Sequence, residues 1–151
     1  MKPLKLFEEF VKEGTVKRVT IDKERAKSLI LESERKMGSL KEYLEKIGVK
    51  NENANDYVEY CYDIMIFLLR AEMLFKGYYA SGLGAHESEV SYLRTLKFTE
   101  NEVQFVNQIR FFRNGILYYG TTMDKEYAGK VIEFTQKNYL RLIKLIRRDN
   151  V

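Results

Sequence analysis

Apolar residues recur along this chain at the spacing of a helix almost from end to end. Residues 3–13 place Leu4, Phe7, Phe10 and Val11 on one face, and Gly14 stops that short segment. Residues 15–21 alternate instead, with Val16, Val19 and Ile21 set against Lys17, Arg18 and Thr20, as expected of a brief extended linker or arm. Asp22 can cap a long helix whose stripe runs through Ala26, Leu29, Ile30, Met37, Leu40, Leu44 and Ile47 before Gly48 ends it. After a polar loop at 50–55, residues 56–75 predict a second long helix. Its wide apolar face includes Tyr57, Val58, Cys61, Tyr62, Ile64, Met65, Leu68 and Leu69, the signature of a central helix.

Gly77 is a natural stop, and Ser81-Gly82-Leu83-Gly84 reads as the most flexible stretch. Residues 86–96 predict a short helix with Val90, Leu93 and Leu96 inward. Thr99 followed three residues later by Glu102 is a capping box. The helix it opens carries Val103, Phe105, Val106, Ile109, Phe112, Ile116 and Leu117, and Gly120-Thr121-Thr122 breaks it. A last helix starts near Asp124 and uses Tyr127, Val131, Phe134, Leu142, Ile143 and Ile146. The sum is an all-α bundle of four longer helices plus a short helix, at 21–151, with an N-terminal helical extension and arm at 1–20.

Composition narrows the chemistry. With 151 residues, one proline and nine glycines, the chain suits one folded domain rather than a disordered or fibrous class. No apolar run approaches the ~20 residues of a membrane span, and the first residues lack a signal-peptide layout, so a cytoplasmic protein without membrane contact is expected. Cys61 and His86 are each the single residue of their type. That excludes an internal disulfide, a cysteine zinc site and a paired-histidine centre within one chain, and no metal or cofactor is implied. The net charge of +4 is small, yet the last third concentrates Arg110, Arg113, Arg141, Lys144, Arg147 and Arg148. Such a cluster either complements a helix C-terminus or faces phosphate.

One stretch carries candidate chemistry. Arg110, Asn114 and Tyr118 lie at i, i+4 and i+8, and a helix would put them on one face with Arg113 beside them. Guanidiniums grip phosphate with paired hydrogen bonds, an amide orients a polar group, and a phenol donates or stacks. The alternative is structural: Arg113 tying down the next loop, Asn114 satisfying backbone near the helix end, Tyr118 filling space.

The order of two long helices, a short helix and a helix ending in Arg-Asn-x-x-x-Tyr resembles the HEPN superfamily (higher eukaryotes and prokaryotes nucleotide-binding), over residues 22–148. The residues that carry the resemblance are Ala71-Glu72-Met73-Leu74-Phe75-Lys76-Gly77-Tyr78-Tyr79, at the end of the second helix, then Arg113-Asn114-Gly115-Ile116-Leu117-Tyr118-Tyr119-Gly120, and the closing helix. The resemblance implies a homodimer that sets two copies of the signature side by side. It also implies an RNA or nucleotide ligand held by Arg110, Arg113, Asn114, Tyr118 and Tyr119, and a minimal nucleotidyltransferase as partner in a toxin–antitoxin-like pair.

Many HEPN proteins are metal-independent endoribonucleases. Their catalytic positions would be Arg113, Asn114 and Tyr118, but here Tyr118 stands where that family places its histidine. A phenol, titrating near about 10, is a poorer base than an imidazole at about 6.5. His86 would take part only if folding or a partner subunit brought it near Arg113. A binding module, an endoribonuclease with an altered motif and a purely structural interaction domain therefore remain as three readings. The chain also carries 11 tyrosines and 9 phenylalanines. The Tyr57-Tyr60-Tyr62 and Tyr78-Tyr79 clusters either serve an interface or fill a core that has no tryptophan.

Overall fold

A computed structural model describes residues 1–150 and shows an all-α protein with one small two-stranded sheet. In chain order the elements are α1 (Phe7–Glu13), β1 (Val16–Arg18), α2 (Lys23–Lys46), α3 (Ala54–Phe75), β2 (Tyr78–Ala80), α4 (Ala85–Ser91), α5 (Glu100–Tyr119) and α6 (Lys125–Asn150). Helix α3 is the axis of the bundle and packs against α2, α5 and α6. Its side chains Val58, Cys61, Ile64, Leu68 and Leu69 are fully buried. Hydrophobic burial of this kind is worth about 1.5–3 kcal/mol per large aliphatic side chain, which explains why the widest apolar face became the centre.

The local signals at the helix ends act as their chemistry requires. Asp22 Oδ1 accepts from the Arg25 amide at 3.0 Å. Thr99 Oγ1 accepts from the Glu102 amide at 3.2 Å while Glu102 Oε1 accepts from the Thr99 amide at 2.8 Å, closing the expected box. Asp124 Oδ1 accepts from the Tyr127 amide at 2.8 Å and caps α6. Gly120 ends α5 in the left-handed conformation with φ 64°.

Two stretches differ from the sequence expectation. Residues 16–18 form a strand that pairs antiparallel with residues 78–80, Val16 facing Ala80 and Arg18 facing Tyr78. Val19 extends the contact by donating its amide to the Gly77 carbonyl at 2.9 Å. Gly77 has φ 77°, and a Cβ there would stand 2.9 Å from the Val19 carbonyl oxygen, so only glycine allows this approach. The pairing draws the N-terminal extension into the main core, where Phe7 meets Tyr78 and Tyr92 edge-on at 5.2 and 4.8 Å. The helix expected over 86–96 stops at Ser91 and tightens into a 3-10 turn at Tyr92–Arg94. There the Arg94 guanidinium donates to the carbonyls of Leu4 and Lys5 and pairs with Glu100, tying the turn to the extension and to the start of α5.

The tyrosine clusters are mainly interior. Tyr57 and Tyr62 are buried, and Tyr60, Tyr78 and Tyr79 are half-buried beside the core. They fill space that a tryptophan would otherwise take. No helix of the described residues is long and apolar enough to cross a membrane.

Candidate functional site

Helix α5 leaves the capping box with Val103, Val106 and Ile109 turned into the core. On the flank of that stripe, one turn apart, stand Asn107, Arg110 and Arg113. Arg110 is buried: its Nε donates to Asn107 Oδ1 at 2.9 Å and its Nη1 to Glu87 Oε1 of α4 at 2.9 Å. Arg113 faces α3 instead. Its Nη2 reaches Asp63 Oδ1 at 3.4 Å, and its guanidinium carbon lies 5.3 Å from the centre of the Tyr62 ring. Its buried Nε has no hydrogen-bond partner. Glu59, one turn before Asp63 on α3, has its carboxyl pushed up by burial and by the neighbouring Asp56 and Asp63, with Arg113 pulling the other way.

Tyr62 is the hub of this region. Its ring is buried and its hydroxyl makes no hydrogen bond, so burial pushes the phenol far above its ordinary range. Arg113 lies against the ring, and His86 of α4 meets it edge-on at 6.5 Å. Folding therefore brings the single histidine and Arg113 to the same side chain. Glu89, one turn after His86, is buried and bridges two partners. One carboxylate oxygen pairs with the Arg70 Nε, and the other lies 3.2 Å from His86 Nδ1 and 3.2 Å from Arg70 Nη2. That contact orients the imidazole and leaves Nε2 as its outward nitrogen.

The residues picked from the sequence share a helix but not an environment. Arg110 is held in an internal network, Arg113 borders the Tyr62 cluster, and Asn114 is half-buried. Tyr118 and Tyr119 are 75% and 86% exposed at the free end of α5. Within one chain they do not converge on one cleft, because Arg113 turns toward α3 while Tyr118 and Tyr119 project to solvent. Asn114 makes no side-chain hydrogen bond among the described residues, and the following loop is secured by others. Asn55 of α3 donates to the Thr121 carbonyl at 2.9 Å and accepts from the Met123 amide at 2.7 Å.

Sequence reading missed Asp63, Arg70 and Glu89. A signal for the first two exists: each is a charged residue set within the long apolar run of α3, where an unpaired charge would be costly. The cluster balances Arg70, Arg110 and Arg113 against Glu59, Asp63, Glu87 and Glu89, so its guanidiniums are partly neutralised before any anion arrives. No group of three or more His, Cys, Asp or Glu side chains among the described residues is placed to hold a metal ion.

Comparison with protein-family models, with curated proteins and with solved structures finds no match to this chain. The likeness to HEPN proteins rests on the residues quoted above.

Proposed function

We propose that this protein is a homodimeric, HEPN-like helical domain that binds RNA or nucleotide phosphate at the C-terminal half of α5. The observation that carries this reading is an incompletely paired guanidinium, Arg113, on the same half of α5 as the exposed Leu117, Tyr118 and Tyr119, which a second copy would complete into one cleft. Exposed rings stack on bases without regard to sequence, and a guanidinium adds charge-assisted bonds to phosphate. An exposed apolar helix end also favours self-association, which would place a second Arg113 nearby. Asn114 lies between the two features and would orient the ligand, while Arg110, committed to Glu87 and Asn107, supports α5 from below. A minimal nucleotidyltransferase is the proposed protein partner, on the resemblance alone. Its co-purification with the chain from cells that contain both tests that point.

The test of the ligand is direct. Sedimentation should give a dimer. Single-stranded RNA should bind with an affinity that falls as salt rises, and both Arg113→Ala and Tyr118→Ala should weaken it at least tenfold. Salt-independent binding, or binding indifferent to both substitutions, rejects the proposal.

A second reading is supported by the placement of His86. In an endoribonuclease with an altered motif, His86 Nε2 would accept the proton of a ribose 2′-hydroxyl as that oxygen attacks phosphorus. The bond from phosphorus to the 5′-oxygen would break, that oxygen taking a proton from water, to give a 2′,3′-cyclic phosphate, and Arg113 would stabilise the charge on the pentavalent phosphorus. Cleavage that persists in EDTA and disappears in both His86→Ala and Arg113→Ala supports this reading. RNA binding without cleavage rejects it and keeps the first.

A further inference from the structure

A cleft of about 520 Å3 opens on the opposite flank of Arg110, between residues 1–5, α1 and the start of α4. That volume is in the range of small-molecule sites. Its walls are apolar where Leu4, Phe10, Leu83 and Phe111 line it; Asn107 and Arg110 reach it from α5, Glu87 from α4, and Lys2, Lys5 and Glu13 stand around it. Asn107 is only 1% exposed. Its carbonyl oxygen is occupied by Arg110 Nε, and its amide nitrogen has a single partner, the Met1 sulfur at 3.6 Å. A thioether is a weak acceptor, so a buried amide donor faces the cleft without a proper match. Beside it, Arg110 Nη2 makes no hydrogen bond among the described residues, its Nε and Nη1 being used by Asn107 and Glu87.

The charges around the cleft point the same way. Glu13 is paired with Lys5 and Glu87 with Arg110, which leaves Lys2 and the Met1 ammonium at the mouth as cations without an ion-pair partner among the described residues. Two adjacent donors at the polar end, an apolar body and an excess of positive charge define a ligand by its chemistry. We infer that this cleft binds a small organic monocarboxylate, its two oxygens taken by Asn107 Nδ2 and Arg110 Nη2 and its apolar body lying against Phe10, Leu83 and Phe111. This inference goes beyond the RNA reading and does not depend on it.

Octanoate is a suitable probe, with octanol as its uncharged counterpart. The chain has no tryptophan, and Leu83 on the cleft wall is fully exposed, so Leu83→Trp adds a unique fluorophore without touching the core. Octanoate should change its emission saturably, and octanol should bind at least tenfold more weakly. Adding Asn107→Leu should weaken octanoate at least fivefold and bring acid and alcohol closer together. Lys2→Gln, at an exposed position that cannot disturb folding, should weaken octanoate about threefold and leave octanol unchanged. Equal binding of acid and alcohol, or no saturable response, overturns the proposal. RNA binding is read through Arg113→Ala and Tyr118→Ala, so either proposal can fail without the other.

Discussion

The two halves of α5 make a controlled comparison, because they share one helix and one apolar repeat. From Glu100 to Arg110 the helix is capped, clamped by Arg141 on Glu102 at 2.8 Å, and buried through Val103, Val106 and Ile109. From Phe111 to Tyr119 the same repeat continues but Phe112 and Ile116 are only half-buried, and Phe111, Leu117, Tyr118 and Tyr119 face solvent. Only the loop after Gly120 folds back, the Thr121 amide donating to the Gly115 carbonyl at 3.3 Å. Gly115 keeps that approach open, since a Cβ would come within 3.2 Å of the Thr121 hydroxyl. Periodicity marks which residues can be buried. Whether they are buried depends on what stands opposite. The first half has α3, α6 and the N-terminal extension opposite it, whereas the second half is covered on one side alone, where Arg113 meets α3 and Phe112 meets Tyr127 of α6.

The sharpest way to break the comparison is truncation on each side of it. Ile109→Ala removes a fully buried side chain and should cost about 2–5 kcal/mol in chemical denaturation, whereas Leu117→Ala should cost less than about 0.5 kcal/mol in the monomer. Comparable losses would mean that the second half is covered within the chain. Thr99→Ala removes the cap on the first half and should cost about 1 kcal/mol, seen as a lower melting temperature and faster amide exchange over Glu100–Val103.

Acid should loosen the capped start of the first half. Bonds from Arg94 and Gln104 hold the Glu100 carboxyl down at about 2. Burial raises that of Glu102, but bonds from Thr99 and Arg141 outweigh it and leave it low. Both are depressed, so their stabilisation is complete above the ordinary value of 4.5 and is lost as pH falls from there toward about 2. Residues 111–119 carry no carboxylate. Since Glu100 is exposed and screened, the combined effect should stay below about 1 kcal/mol. It should vanish in the Glu100→Gln, Glu102→Gln double variant, measured by melting at pH 6 and pH 3. Smallest of all on stability is Tyr118→Ala, which should change unfolding by less than about 0.5 kcal/mol while lowering self-association in sedimentation. A large stability loss there would place Tyr118 in the core after all.

Much of the fold was legible because its signals are local. The Asp22 cap, the Thr99 and Glu102 box, the Gly14 and Gly120 stops and the stripe of α3 each depend on residues within a turn or two. The strand at 16–18 was legible only as an alternation. Its partner lies some sixty residues on, and nothing in Tyr78-Tyr79-Ala80 names Val16 as the residue to meet. The candidate site was legible in part. Arg113 was picked out by its helix, but its neighbours Asp63 and Tyr62 lie on α3. His86 reaches the Tyr62 ring that Arg113 also touches only through the packing of α4 against α3 and α5.

Sequence by itself determined that this chain is helical, where most helices begin and end, and which residues are able to bear charge chemistry. Those outcomes follow from backbone propensity, capping and apolar spacing, all of which act over short range. Tertiary structure alone decided that Arg110 and Arg113, one turn apart, serve different surroundings, that the lone histidine shares Tyr62 with Arg113, and that Leu117, Tyr118 and Tyr119 at the end of α5 stay uncovered. These depend on which helix stands opposite which, and burial energy is settled between elements rather than within them.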